Sequence, residues 1–433
     1  MPEGVRIRVG QAAGAELVGC DQRALQAAVD YVAGLGGGLV EVGPGAYTMR
    51  DSLHLRSGIS VVGAGEGTVL RKAPAVVSPL LTDADYGEEA ITVRDGAGFD
   101  PGCGVAIWDE RGQGFHVTVA RIAEALPAEE PGSHATDRPA ALRAGHGIGG
   151  WDAINAAGGA NTQARTVRVT VPMQADYSFQ RGGQAATIFP IVSGYHLANV
   201  SIASLTIEGA GTADPILNGC RGGGIFLYRC HDVTISDCTV RDYRGDGISF
   251  QTSHDVRVER CVCTGNAGLG IHPGSGSQRP VVLDCRSLGN DKIGLYVCWR
   301  VKDGHFARLL LRNNGQDGLS IGHKDTDNVF EDVKSEGNGR YGLHFRDEPA
   351  AMAAHRNRFL RTQVAGNGQA AIRVDGATTG LRFEDLEIAG AWAIGEAAEA
   401  TAISLGPDAS EPEIVGLRLT SGIPDSRLLT TTP

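Results

Sequence analysis

A four-residue pattern of small and hydrophobic positions recurs through the second half of the chain. Each copy reads glycine, aliphatic residue, any residue, apolar residue. Six full copies begin at 224, 247, 270, 294, 318 and 342, and a weaker seventh begins at 371. The intervals are therefore 23, 23, 24, 24, 24 and 29 residues. Because successive side chains of a strand point to opposite faces, each copy predicts a short strand with its aliphatic and apolar residues buried.

Two further columns keep the same spacing. One holds the asparagines Asn266, Asn290, Asn314, Asn338 and Asn367. Stacked asparagines bond to each other and to turn backbone, so this column predicts an asparagine ladder. The other column holds Cys238, Cys261, Cys285, Leu309 and Val333. Cysteine here replaces aliphatic residues, which predicts buried free thiols rather than a metal site or disulfides.

A coil of 23–24 residues accommodates about three short strands and three turns. Stacking such coils buries one continuous core, as in solenoid proteins. A leucine-rich repeat has a similar period, but its leucine frame and long helical segments are absent. The repeats therefore predict an all-β fold, a parallel β-helix.

The N-terminal residues predict a helix and two further coils. Residues 21–32 carry apolar residues at helical spacing behind Asp21, a suitable helix cap. The run GGGLVEVGPGAYTMRDSLHLRSGISVVGAGEGTVL follows it. With the repeats, it resembles the pectate-lyase-like superfamily over about residues 18–72 and 195–405. The resemblance implies a right-handed, single-stranded parallel β-helix (solenoid) with an N-terminal capping helix.

Breaks in the period predict how the chain is divided. Residues 1–80 form the capping helix and first coils, and residues 191–405 form the main β-helix. Residues 81–190 lack the period but contain strand-like runs, so we expect an inserted, mostly-β subdomain beside the helix. Residues 406–433 form a C-terminal cap or tail.

Composition limits which classes of molecule this protein is expected to bind. The net charge of −11 argues against bulk attraction to nucleic acid or anionic membrane. No apolar stretch approaches 18 residues, and the first residues lack the features of a secretory signal, so we expect a cytoplasmic protein. The resemblance implies a carbohydrate ligand, and by analogy with this fold a homo-oligomer such as a trimer.

Aligning the copies predicts which side chains share the outer face. Its aromatic residues suit the apolar faces of sugar rings: Phe226, Tyr228, Tyr296 and Trp299. Its neighbouring polar residues would bind hydroxyl or carboxylate groups: Asp246, Gln251, Arg300 and His323. Taken singly, each of these residues is better explained by structure than by function, and Arg300, Lys324 and Glu348 resemble a surface ion-pair ladder. Their clustering on adjacent coils predicts a carbohydrate-binding groove.

Three enzymatic mechanisms fit this face. A polysaccharide lyase acting on a uronate would use Lys324 and Arg346, with His272 and His344 as further acid or base groups. A glycoside hydrolase or fructotransferase would use Asp325 paired with Asp347 or Glu348. An epimerase is disfavoured, because the expected Asp-Pro-His string is absent from the groove. We place β-elimination slightly ahead of hydrolysis or transfer.

A non-catalytic function and a metal ligand were also considered. A glycan-binding, tailspike-like module predicts an aromatic groove without paired acid and base groups. No cofactor is certain, although Asp325 and Asp327 make calcium a candidate ligand outside any recognisable binding loop. The convergence of histidine, arginine and carboxylate residues over 323–348 favours an enzyme over a module.

Overall fold

A computed structural model of the chain describes residues 5–111, 116–126, 163–389, 401–420 and 429–431. Its most regular part is a parallel sheet of eleven strands, which we call the site sheet. The strands stack in the order Leu53–His54, Val192–Tyr195, Ile225–Tyr228, Ile248–Gln251, Ile271–Gly274, Leu295–Val297, Leu319–Ile321, Tyr341–Phe345, Ala370–Val374, Thr401–Leu405 and Leu429–Thr431. The repeated pattern thus forms one strand in each coil, as predicted.

The remaining sides of the coils form a second parallel sheet of twenty strands. Before the insertion its strands are Val5–Gly10, Leu17–Val18, Gly38–Val42, Gly45–Met49, Ile59–Val62 and Thr68–Lys72. After it they are Ala198–Ala203, Thr206–Glu208, His231–Ser236, Thr239–Arg241, His254–Glu259, Val262–Thr264, Val281–Leu283, Arg286–Leu288, His305–Arg312, Val329–Glu336, Arg358–Leu360, Gln363–Ala365, Arg382–Ala389 and Glu413–Thr420. Each coil therefore has three sides, and the predicted all-β parallel β-helix is confirmed.

The predicted capping helix spans Gln22–Gly34. Asp21 is its N-cap, with a carboxylate oxygen accepting a hydrogen bond from the Arg23 backbone N–H at 3.0 Å. Leu25, Val29 and Val32 are buried against the first coils. The helix thereby covers the apolar end of the core. No helix in the described part of the chain is long and apolar enough to cross a membrane.

An antiparallel sheet of six strands interrupts the β-helix. Its strands are Val77–Pro79, Ala90–Val93, Gly104–Trp108, Thr118–Ala125, Arg165–Val169 and Gln184–Ala186, and short 3-10 turns lie at Gly65–Gly67 and Phe179–Arg181. The sheet has a hydrophobic cluster of its own, which includes Ile91, Val105 and Tyr177. It is the inserted β subdomain that the sequence predicts, while the exact domain boundaries stay a prediction.

The asparagine ladder is present and continuous. Each Nδ2 atom donates to the Oδ1 atom of the next asparagine at 2.9 Å, from Asn266 through Asn290, Asn314 and Asn338 to Asn367. The column cysteines Cys238, Cys261 and Cys285 are buried free thiols in the core, as predicted. These two columns hold successive coils in register.

A loop at residues 209–224 lies across the outer face of the site sheet. It joins the strands Thr206–Glu208 and Ile225–Tyr228. The Gly219 carbonyl accepts a hydrogen bond from Ser249 Oγ at 2.7 Å, and the Asp214 carboxylate pairs with Lys72 Nζ at 2.8 Å. We call residues 209–224 the covering loop, because it closes this part of the face to solvent.

Candidate functional site

Cys298 lies at the centre of the candidate site, in a row of outward positions on the site sheet. Its neighbours on the adjacent coils are Gly274 and Gly322. A Cβ atom at Gly274 would lie 2.8 Å from His272 Nε2, and one at Gly322 would lie 2.9 Å from Arg346 Nε. The two glycines therefore leave the space that the His272 and Arg346 side chains occupy on either side of the thiol.

His272 is held from behind by a carboxylate. Its Nδ1 atom lies 2.8 Å from Asp246 Oδ2, and Asp246 Oδ1 accepts a hydrogen bond from the Leu269 N–H at 3.0 Å. Both side chains are buried beneath the covering loop. This leaves His272 Nε2 as the free end of the pair, without a hydrogen-bond partner and directed towards Gly274, the neighbour of Cys298 on the preceding coil.

His323 approaches the same thiol from the next coil. Its Nδ1 atom lies 3.6 Å from Cys298 Sγ and 3.3 Å from an Arg346 Nη2 atom. Its Nε2 atom forms an ion pair with Glu348 at 2.7 Å, and its ring packs 5.3 Å from that of Trp299. Since 30% of the His323 side chain is exposed, this imidazole connects the buried cluster to solvent.

Arg346 is fixed by several acceptors at once. Its guanidinium donates to Ser320 Oγ at 3.0 Å, to the Val297 carbonyl at 2.8 Å and to Asp325 Oδ2 at 3.3 Å. The same group lies 4.4 Å from the centre of the Tyr296 ring, a cation–π contact. Only 13% of the side chain is exposed, so Arg346 supplies a positive field from within the site.

Asp325 has a structural position rather than the exposed one expected of a substrate-binding acid. It is fully buried and accepts hydrogen bonds from the backbone N–H groups of Val301 and Gly322 at 2.9 and 3.1 Å. Burial raises its pKa to about 7, although Arg346 opposes this shift. The predicted pairing of Asp325 with Asp347 or Glu348 across a sugar therefore lacks geometric support.

The backbone beside Cys298 is strained at two consecutive positions. Trp299 and Arg300 have φ values of 70° and 68°, and on the next coil His323 and Lys324 have values of 49° and 66°. Left-handed backbone is unfavourable for residues with a Cβ, by about 1–2 kcal/mol each. On the preceding coil the same turn is made by Ser275 and Gly276. Large side chains thus occupy a turn better suited to small ones.

The neighbouring groups shift the pKa values of Cys298 and His272 in opposite directions. Burial alone would raise the pKa of the Cys298 thiol, but the nearby imidazoles of His272 and His323 outweigh it and lower the pKa to about 5. Burial opposes protonation of His272, yet its contacts with Asp246 and Cys298 raise its pKa to about 9. The stable arrangement near neutral pH is therefore a thiolate beside an imidazolium.

His344 belongs to a separate network. Its Nδ1 atom lies 3.1 Å from Asp317 Oδ2 and its Nε2 atom 3.1 Å from Asp375 Oδ2. Arg340 also pairs with Asp317 at 2.6 Å, and Arg373 donates to Asp375. Both nitrogens of His344 are engaged and the residue is buried, so the predicted acid or base role is not supported.

This network predicts a pH-dependent stability. Burial lowers the pKa of His344, but Asp317 and Asp375 outweigh it and raise the value above that of an unfolded histidine. Its contribution is thus fully present below about pH 6.5 and is lost as the pH rises through the folded pKa. We expect His344→Gln to lower the urea unfolding midpoint most near about pH 5 and progressively less towards about pH 9. The exposed His231→Gln variant is the control, and a loss that grows with pH would contradict the expectation.

The structure gathers eight of the predicted residues into one cluster. These are Asp246, His272, Tyr296, Trp299, His323, Asp325, Arg346 and Glu348. Arg300, Lys324 and Asp347 are exposed at its rim. Glu348 pairs with His323 rather than with Lys324, so the expected surface ion-pair ladder is not formed.

Three other predicted residues lie towards the N-terminal end of the site sheet. Phe226 and Gln251 are buried, which corrects their expected place on an open groove. Gln251 donates to Ser249 Oγ at 2.9 Å below the covering loop, and Phe226 packs against Tyr195. Tyr228 is half-buried beside Tyr195. The covering loop precedes the first repeat and follows no period, so alignment of the repeats gave no sign of it.

Both candidate calcium ligands, Asp325 and Asp327, are already paired with arginines. Asp325 pairs with Arg346, and Asp327 forms two hydrogen bonds with Arg356 at 2.7 Å. Among the residues that the structure describes, no group of three or more His, Cys, Asp or Glu side chains is placed to hold a metal ion. Calcium binding through this pair therefore has no geometric support.

Sequence reasoning overlooked the thiol. Cys298 falls in the outward row that holds Gln251 and Arg346, whereas Cys238, Cys261 and Cys285 fall in the buried column. That difference of position within the repeat was the available signal. Cys220, on the covering loop, has no counterpart in the repeats.

Residues 198–388 match the family model for a right handed beta helix region. A polygalacturonase from Erwinia carotovora ssp. carotovora is similar over 100% of this chain and 98% of its own, with 12% identity and a TM-score of 0.53. The AlgE4 A-module, a mannuronan C-5 epimerase of Azotobacter vinelandii, covers 95% of this chain and 96% of its own, with 15% identity and a TM-score of 0.47. No curated protein matches the chain in sequence.

At such low identity these likenesses concern the fold alone. The parallel coils and the capping helix are the features that the resemblance implied, and the asparagine ladder is the one that the repeat spacing predicted. The chain therefore folds as a right-handed parallel β-helix.

Proposed function

We propose that this protein is a carbohydrate-active enzyme that binds an acidic glycan at the turns 299–300 and 323–324 and cleaves it by β-elimination. The proposal is carried by two consecutive left-handed residues at each of these turns, whereas other turns of the described β-helix, as at Asp237 and Arg260, have a single one. Such strain persists where the side chains it presents are needed, and it clusters at functional sites. Here it presents an indole, an imidazole and two cations side by side: Trp299, His323, Arg300 and Lys324.

The rim cations support an anionic ligand. Elsewhere on the β-helix, exposed arginines pair with an acid one coil away, as Arg279 does with Asp255 and Arg308 with Asp284. Arg300 and Lys324 are exposed, and neither makes an ion pair within the described residues. A uronate carboxylate would supply the missing negative charge.

The proposed chemistry follows from these positions. Arg300 offsets the charge of the uronate carboxylate, and the side-chain nitrogen of Lys324 removes the proton from the adjacent carbon. The electrons of that C–H bond form a carbon–carbon double bond, and the glycosidic C–O bond breaks. Burial raises the pKa of Tyr296, so its phenol stays protonated and donates a proton to the departing oxygen. Trp299 packs against the sugar ring.

The similarity of fold to a polygalacturonase supports a carbohydrate as the ligand. It does not select the reaction. A hydrolytic mechanism would need two accessible carboxylates. Asp325 is buried and Glu348 is paired with His323, so Asp347 is the exposed carboxylate of the cluster. This arrangement favours elimination over hydrolysis.

The test is a panel of uronate-containing glycans, followed by ultraviolet absorbance of the unsaturated product and by reducing-sugar release. We expect Lys324→Ala to lower the rate of absorbance increase at least about tenfold, as is usual when a general base is removed. Lys334→Ala, an exposed lysine on the other sheet, is the matched control and should retain the rate.

Other outcomes would redirect the assignment. Sugar release without absorbance would exclude elimination and leave Asp347 and Glu348 as the groups to replace. Binding without any product would identify a glycan-binding module instead. Full activity in Lys324→Ala would remove the lysine from the mechanism.

A further inference from the structure

The elimination mechanism does not use the most reactive group of the cluster, the Cys298 thiol. Cys298 is half-buried, and the glycines on both sides leave room for the His272 and Arg346 side chains beside it. His323 Nδ1 lies 3.6 Å from its sulfur, and His272 Nε2 lies beside Gly274, the neighbour of Cys298 on the preceding coil. The structural cysteines of this chain differ from Cys298 in their surroundings. Cys238, Cys261 and Cys285 are buried among apolar residues of the core, whereas Cys298 lies among imidazoles.

The order of groups behind the sulfur is that of a nucleophilic site. His272 Nε2 lies on the Cys298 side of its ring, beside Gly274, and Nδ1 of the same ring is oriented by Asp246 at 2.8 Å. A nucleophile next to a base that a third group orients is the signature of covalent catalysis. Asp246 and His272 are both buried, so the imidazole is held in one orientation.

We propose that Cys298 is a nucleophile that accepts the acyl group of an ester, with His272 as its acid and base and Asp246 as the residue that orients His272. The substrate class is an O-acyl ester, and the glycan proposed above would be its natural carrier. Only the identity of that carrier rests on the proposed function. The thiol chemistry stands on the geometry of Cys298, His272 and Asp246.

The reaction balances with water as the only other reactant. The thiolate attacks the ester carbonyl carbon and forms a tetrahedral oxyanion, which Arg346 faces with its positive charge. The oxyanion collapses, the ester C–O bond breaks, and the departing alkoxide takes the proton from His272 Nε2. His272 then removes a proton from water, whose oxygen attacks the thioester. The carbon–sulfur bond then breaks, its electron pair stays on sulfur, and the carboxylic acid leaves, so that a thiolate again lies beside an imidazolium that holds the proton taken from water.

The electrostatics agree with this assignment. A pKa of about 5 for Cys298 leaves the sulfur ionised at neutral pH, and a pKa of about 9 for His272 keeps its ring protonated. Cys220 on the covering loop behaves in the opposite way, because burial and the charge of Cys298 raise its pKa to about 12. Of these two neighbouring thiols, only one is a nucleophile.

The first test measures thiol reactivity in the unaltered protein. The rate of Cys298 alkylation by iodoacetamide is followed by peptide mass spectrometry from about pH 4 to about pH 10, beside N-acetylcysteine. We expect a half-maximal rate near pH 5, whereas an ordinary thiol reaches it near about pH 8.5. Cys220 should react slowly throughout. A half-maximal rate for Cys298 near that of N-acetylcysteine would overturn the proposal.

The second test measures acyl transfer with p-nitrophenyl acetate, which carries no sugar and is therefore independent of the glycan assignment. We expect a burst of nitrophenol equal to one per chain and an acetyl group on the peptide that contains Cys298. Cys298→Ser should abolish the burst, and His272→Asn should abolish repeated turnover. His305→Asn, an exposed histidine outside the cluster, is the control. Acetylation elsewhere, or a burst that survives Cys298→Ser, would overturn the proposal.

Discussion

Replacement of Phe330 by alanine is expected to lower the free energy of unfolding by about 3–5 kcal/mol. Phe330 is fully buried and stacks between Phe306 and Phe359, with ring centres 4.7 and 4.6 Å apart and planes within 11° and 6° of parallel. Phe383 extends the column at 4.8 Å from Phe359. Removing the ring would leave a cavity between two coils that the asparagine ladder holds at fixed spacing.

The measurement is urea denaturation followed by far-ultraviolet circular dichroism. Val329→Ala is the matched control, because Val329 precedes Phe330 on the same strand and is only half-buried on its outer side. We expect it to cost less than half as much. Equal losses for the two variants would contradict the assignment of Phe330 to the core, and Phe330→Leu should give an intermediate loss.

The fold was predictable from the sequence because each coil repeats the same physical demands. In the strand at 271 the aliphatic residue is buried in a column with Ile248 and Leu295, as the alternation of the repeat required. The asparagines at 290 and 314 were recognisable because they fall in one column of the repeats. There each side-chain amide can accept a hydrogen bond from the preceding coil and donate one to the next. A second asparagine pair, Asn328 and Asn357, was not anticipated, because the equivalent position on the preceding coil is Gly304 and no column of asparagines is formed.

The candidate site was predictable in outline. Parallel register places residues 23–24 apart side by side, so His272 was expected beside Tyr296 and Trp299 beside His323, and both pairs of rings are in contact. Burial was not predictable, because the covering loop that buries Gln251 obeys no repeat. The isolation of His344 was also hidden, since its partner Asp317 lies on a turn outside the aligned rows.

The chemistry of the thiol was harder to anticipate than its position. Three cysteines in the buried column established cysteine as a substitute for aliphatic residues in this chain. Cys298 differs from these three because it faces outward between two glycines. Its side chain has imidazoles of the neighbouring coils around it, whereas the core cysteines have aliphatic side chains. Reactivity depends on those contacts, which the side-chain directions of two adjacent coils determine together.

Loss of the ion pair between Lys72 and Asp214 is expected to destabilise the protein and to open the site. Both side chains are buried, with exposed fractions of 3% and 4%. Asp214 also accepts a hydrogen bond from the Ala75 N–H at 2.8 Å, so it anchors the covering loop to the first coils. Lys72→Met leaves Asp214 as an uncompensated buried charge, which typically costs about 3–5 kcal/mol.

A control variant and hydrogen exchange distinguish loss of the loop anchor from a general loss of stability. The control is Arg71→Met, which removes the adjacent but exposed pair with Glu208 and should cost at most about 1 kcal/mol. Hydrogen exchange should quicken over residues 209–224 in Lys72→Met, and iodoacetamide should then reach Cys220. The double variant Lys72→Met with Asp214→Asn should recover part of the loss, because no buried charge is left unpaired. Unchanged exchange in the covering loop of Lys72→Met would show that other contacts hold it over His272.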